Sequence, residues 1–115
     1  MKTAHFLKAD VTTSQDLSAG ALTYTTSSQS RKFKLEEVII KFSVAVTETV
    51  TITRDSVNGE NYDHVVASRS LVGESSFIFR PTGECNFQSG DEVKVQCTNA
   101  NLTGVAYVTI KRSEM

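Results

Sequence analysis

The chain reads as an all-β protein, an antiparallel β-sandwich of jelly-roll type with about eight short strands. Three observations predict this. Val, Thr and Ser are abundant, and β-branched side chains such as Val and Thr suit a pleated sheet while losing rotamer freedom in a helix. Apolar and polar residues alternate with a period of two over several runs, and no period of 3.6 lasts long enough for a helix. Gly, Pro, Asn and Asp punctuate the chain at intervals of roughly 8–12 residues, the spacing of short strands joined by turns.

The clearest strand covers residues 37–46. Val38, Ile40, Phe42, Val44 and Val46 fall on one face, and Lys41, Ser43 and Ala45 on the other, with Ile39 an apolar exception. Residues 47–55 repeat the pattern, with Val50 and Ile52 inward and Thr49, Thr51 and Thr53 outward. Asn58-Gly59 supplies the positive φ angles of a tight hairpin, after which residues 62–68 return as a strand. Gly73 breaks the chain. Residues 75–79 then place Phe77 and Phe79 on one face and Ile78 on the other, and Pro81, the single proline, ends the strand because it has no N–H for a ladder. A loop over residues 81–90 contains Gly83 and Gly90. Residues 92–98 alternate cleanly, Val93, Val95 and Cys97 inward against Glu92, Lys94 and Gln96 outward. A polar turn at 98–101 leads to a last strand over residues 105–111. It is apolar on both faces, which predicts a central or covered position.

Upstream of residue 35 the pattern weakens. Residues 3–11 and 21–27 read as strands, 12–20 as a loop with one helical turn near 15–18, and 27–30 as another loop. The whole chain, 1–115, is expected to form one domain, with residues 1–30 an extended N-terminal arm or edge strands. The Ser/Thr-rich stretch 12–30 would order on docking to a partner.

Composition excludes several functions. Twelve Lys and Arg against 13 Asp and Glu leave a net charge of −1, without the basic excess of a nucleic-acid binder. No apolar run approaches the roughly 20 residues of a membrane helix. Lys8 and Asp10 interrupt any apolar core of a signal peptide near the start, so the chain is expected to stay where it is made. Cys85 and Cys97 make no disulfide framework. Cys97 shares a strand face with Val93 and Val95 and reads as a small buried hydrophobe, and Cys85 is expected to stay unbridged in its loop. The Asn101-Leu102-Thr103 sequon is then without consequence, because glycosylation needs secretion.

Chemistry-bearing motifs are sparse. His5 and His64 lack the converging ligands a metal needs, and Asp63 and His64, adjacent on a strand, point to opposite faces; a surface Asp and a half-buried His are expected. No G-x-S-x-G elbow or phosphate-binding glycine motif is present. Asp55-Ser56-Val57-Asn58-Gly59 lacks the ligand spacing and distal Glu of a calcium loop and reads as a hairpin turn. Glu36 and Glu37 diverge as strand neighbours, which disfavours acid–base cooperation. Arg31-Lys32-Phe33-Lys34 reads as a charged entry to a strand. A sugar site would need exposed aromatic platforms; Trp is absent, and Tyr24, Tyr62 and Tyr107 form no stripe. These readings assign no catalytic, cofactor-binding or metal-ligating residue.

Leu35-Glu36-Glu37-Val38-Ile39-Ile40, Val50-Thr51-Ile52, Asn58-Gly59-Glu60-Asn61-Tyr62-Asp63, Ser76-Phe77-Ile78-Phe79-Arg80-Pro81, Phe87-Gln88-Ser89-Gly90-Asp91-Glu92-Val93 and Val95-Gln96-Cys97-Thr98-Asn99 follow one another over about two-thirds of the chain. This arrangement resembles small β-sandwich virion proteins of tailed bacteriophages, of the capsid-decoration (cement) kind. Near the Phe79-Arg80-Pro81 stop, where that group carries a Trp, this chain has Phe. The resemblance implies a non-enzymatic structural protein that binds the outside of a phage head and stabilises it through subunit contacts. Its expected partners are the major capsid protein or other virion subunits and further copies of itself, a trimer among the forms, with neither nucleic acid nor membrane. Its expected location is the virion, and the host cytoplasm during assembly. The alternatives are another virion position (tail, head–tail connector or fibre attachment) and a carbohydrate-binding module.

Overall fold

A computed structural model describes residues 8–28, 30–83 and 85–114. Among the described residues nine strands follow in order: β1 Lys8–Asp16, β2 Leu22–Thr25, β3 Phe33–Val46, β4 Thr49–Asp55, β5 His64–Ser70, β6 Glu74–Phe79, β7 Asn86–Phe87, β8 Glu92–Cys97 and β9 Val105–Glu114. A short 3-10 turn at Glu60–Tyr62 precedes β5. One sheet has the order β1-β9-β3-β6, with β7 pairing the start of β3; the other has the order β2-β8-β4-β5. Every pairing is antiparallel. With the two-residue β7 set aside, eight strands pass between two four-stranded sheets, changing sheet at every connection except β4–β5, in the pattern of a jelly roll.

Period-two alternation builds the core. Val38, Ile40 and Phe42 of β3, Val50 and Ile52 of β4, Val93, Val95 and Cys97 of β8, and Ala106, Val108 and Ile110 of β9 are all buried between the sheets. Strand β9 lies between β1 and β3, the central position that its apolar middle predicts. Phe33 and Phe87 close one end of the core, their rings stacked with centroids 4.8 Å apart. The two-residue strand β7 brings Phe87 opposite Phe33.

Several expectations are corrected. Residues 12–16 are strand, not loop: Thr12, Thr13, Ser14, Gln15 and Asp16 pair with β9 along its length. The exposed Thr12, Ser14 and Asp16 alternate with half-buried Thr13 and Gln15, so polarity on both faces conceals the strand from a hydropathy reading. The helical turn near 15–18 is a tight turn at residues 17–19, in which the Ala19 and Gly20 N–H groups donate to the Asp16 carbonyl at 3.0 and 3.2 Å. Residues 3–7 of the first expected strand lie outside the described residues, as does His5. Val44 is 45% exposed, not buried; the β3–β6 register shifts between Lys41 and Val46, and the alternation is lost there. Thr53 is buried, next to the register shift between β4 and β5. Asn58-Gly59 does not form a two-residue hairpin. Gly59, at φ 107°, ends a turn in which its N–H donates to the Ser56 carbonyl at 3.1 Å. The chain then passes through the 3-10 turn, so β5 begins at His64. His64 is exposed rather than half-buried, and Asp63 is the half-buried member of the pair.

Truncating Phe33 or Phe87 to Ala removes a buried ring from a stacked pair and is expected to cost about 3–5 kcal/mol. Ile78→Ala, on the solvent side of β6, is expected to change stability by less than about 0.5 kcal/mol. Urea unfolding of the three variants beside the parent chain checks the contrast.

Candidate functional site

Two buried carboxylates organise the ends of the sandwich. Glu48, in the β3–β4 connection, is 3% exposed. It accepts the Thr98 hydroxyl at 2.7 Å and the N–H groups of Ala100 and Asn101 at 2.9 Å each. Its own carbonyl accepts the Leu71 N–H at 2.7 Å. One residue thereby ties the β3–β4, β5–β6 and β8–β9 connections together. Burial pushes its carboxyl upward, but the Asn101 N–H, the Thr98 hydroxyl and the Ala100 N–H outweigh it, and the net shift is below the ordinary glutamate value.

Asp91 does the same at the opposite end. It is fully buried. Its oxygens accept the Val57 N–H at 2.9 Å, the Gln88 N–H at 2.8 Å and the Arg54 guanidinium at 2.9 Å, joining the β4–β5 connection to the β7–β8 loop. Gly90 precedes it at φ 90°, where a Cβ would stand 2.6 Å from a Val57 methyl. These connections need glycine for both conformation and space. Each carboxylate is engaged by three donors of the chain itself.

The other candidates disperse. Glu36 accepts the Ser113 hydroxyl at 2.5 Å, and Glu37 binds Arg80 and, at 3.6 Å, Lys111. A bulge between Leu35 and Glu37 gives the two neighbours separate partners. The Arg80 guanidinium beside Glu37 holds that carboxyl below the usual glutamate range, against partial desolvation and with help from Lys111. Asp63 accepts the Ser56 N–H at 2.8 Å, so the segment 55–59 is hydrogen-bonded to the protein, and no group of three or more His, Cys, Asp or Glu among the described residues could hold a metal ion. Of the basic cluster, Phe33 is buried, Arg31 and Lys32 are exposed, and Lys34 approaches Glu36 at 3.9 Å. Cys85 and Cys97 are free thiols, and burial, with Glu48 adding to it, pushes Cys97 up to about 11. Tyr24 packs against the core, Tyr62 sits in the 3-10 turn beside the β2-β8-β4-β5 sheet, and Tyr107 lies in β9 of the other sheet. Three separate places give no shared platform for a sugar. Arg112 is buried, lies over the Phe33 ring at 5.7 Å and leaves Nη1 without a hydrogen-bond partner.

What distinguishes the molecule is the difference between its two outer faces. On the β2-β8-β4-β5 sheet, register aligns Thr23, Gln96, Thr51 and Ser68 in one row and Thr25, Lys94, Thr53 and Val65 in the next. This is mostly a hydroxyl and amide surface, interrupted by Lys94 and by Val65 at the β5 edge, which is 57% exposed. On the β1-β9-β3-β6 sheet, the rows are Thr12, Thr109, Ile39 and Ile78, and Ser14, Tyr107, Lys41 and Ser76. Ile78 is 49% and Tyr107 52% exposed. A third row sets Asp10 opposite Lys111 and Lys111 opposite Glu37, and Arg80 completes it through its bond to Glu37. Apolar groups running from β9 and β3 out to the edge strand β6, with charges along one side, form the mixed surface on which proteins adhere. The sequence showed its parts as Ile39, Ile78 and an apolar last strand; the register that assembles them was not visible.

No known family model matches the chain, and no curated protein matches it. Among solved structures it is similar to one described as the crystal structure of PirA, with 11% identity, covering 96% of this chain and 94% of that one at a TM-score of 0.49.

Glu48→Ala removes the shared acceptor of the Thr98 hydroxyl and the Ala100 and Asn101 N–H groups and is expected to cost about 1–3 kcal/mol. Because the folded carboxyl titrates below its unfolded value, its contribution is complete above the ordinary glutamate pKa and fades as pH falls through the folded pKa. Urea unfolding of parent and variant from pH 7 down to acid is expected to show the gap between them narrowing.

Proposed function

We propose that the chain is a non-enzymatic structural virion protein, a capsid-decoration protein whose work is adhesion. The mixed face of the β1-β9-β3-β6 sheet carries this reading. It offers exposed Ile78 and Tyr107 beside the Asp10, Lys111, Glu37 and Arg80 row, while the buried carboxylates serve the frame alone. The resemblance across residues 35–110 to phage sandwich proteins points the same way. A jelly roll presents such a face rigidly, so docking sacrifices little backbone freedom, and many modest contacts repeated by symmetry add up to a stabilised shell. The partner in this reading is the major capsid protein, and the location is the particle surface.

Purified particles of the phage whose genome carries this coding sequence test the proposal. Mass spectrometry and cryo-electron microscopy are expected to find the chain in many symmetry-related copies on the head. Ile78→Asp is expected to reduce its incorporation at least tenfold while leaving the free chain folded. Absence of the chain from particles overturns the proposal, and density at a tail or connector moves it to another virion position.

A further inference from the structure

The mixed face is also self-complementary. Its charged row runs Asp10, Lys111 and Glu37 across β1, β9 and β3 to Arg80, one residue past the end of β6, negative, positive, negative, positive. A two-fold axis in the plane of the face, parallel to the strands and midway between β9 and β3, reverses that order in a second copy. Asp10 then stands over the second copy's Arg80, and Lys111 over its Glu37, so that every opposition is between unlike charges. The same axis sets Ile39 over Thr109, Ile78 over Thr12, and the Tyr107 ring over the Lys41 ammonium, a cation–π arrangement. A row of four alternating charges has this property only for an axis along the strands. An axis across the strands superposes each sign on itself.

We infer that this chain forms a two-fold symmetric dimer through the outer face of its β1-β9-β3-β6 sheet. In the free chain the occupant of the face is a second copy, stacked sheet on sheet with strands nearly aligned, which docking on a capsid displaces. Four strands spaced about 4.8 Å apart and three side-chain rows give a patch of roughly 400 Å² on each copy. This is about half of what a standard stable interface buries per partner, so the dimer is weak and concentration-dependent. The inference rests on the adhesive reading of this face and not on the presence of a particle.

Sedimentation of the purified chain across a concentration series is expected to show the mass rising from that of the 12.6 kDa monomer to twice it. Ile39→Asp is expected to hold it at the monomer, and Lys41→Glu, exposed and away from the core, to weaken dimerisation at least fivefold. A Thr12→Cys, Ile78→Cys double variant, made with Cys85→Ser, supplies the geometry. These positions lie at opposite edges of one sheet, three strand spacings or about 14 Å apart, beyond a short bis-maleimide within one chain but opposite each other across the axis. Crosslinked dimer from the double variant, with far less from either single one, supports the inference. A chain that stays monomeric at about 1 mM, a trimer, or equal crosslinking of the single and double variants overturns it. If dimerisation fails while Ile78→Asp still blocks incorporation into particles, the pairing is wrong and the virion reading stands. If the dimer forms but the chain is absent from particles, the reverse holds.

Discussion

Backbone donors that run out of ladder partners at the ends of strands must be satisfied by something else, and here two buried carboxylates satisfy them. A jelly roll has connections at both ends, and each connection carries N–H groups that no sheet can pair. Glu48 gathers those of the β8–β9 turn at one end, and Asp91 those of the β4–β5 and β7–β8 connections at the other. The penalty for desolvating a carboxylate is offset by several short hydrogen bonds at once. With the connections fixed, strand register follows, and with register fixed the outer faces have a definite pattern.

The fold was legible wherever one face is apolar and the other polar. Residues in β3, β4, β6 and β8 declared their buried faces through Val38, Ile40, Val50, Ile52, Phe77, Val93 and Val95. Legibility failed for three physical reasons. Strand β1 is polar on both sides over Thr12–Asp16, because it is an edge whose ladder rather than its side chains holds it. Strand β7 is two residues long, too short to show a period, although it brings Phe87 to the core. Val44 lies where a register shift interrupts the alternation, and no local pattern announces that.

The same limits apply to the candidate face. Ile39, Ile78 and Tyr107 each break the alternation of their strands by placing an apolar group on the outer side, and that departure is visible in the linear order. Their meeting is not, because it depends on β9 lying between β1 and β3 and on the register of each pair. Glu48 and Asp91 were invisible as anchors for a related reason. Nothing local separates a carboxylate that will be buried among backbone donors from one that will sit in water.

The irregular edge of the second sheet has a consequence of its own. Strand β5 borders that sheet, and its pairing with β4 slips between Ile52 and Thr53, so its free side presents an uneven run of hydrogen-bonding groups. Such a border is a poor template for an incoming strand. Addition of a strand from another copy is therefore disfavoured along this border.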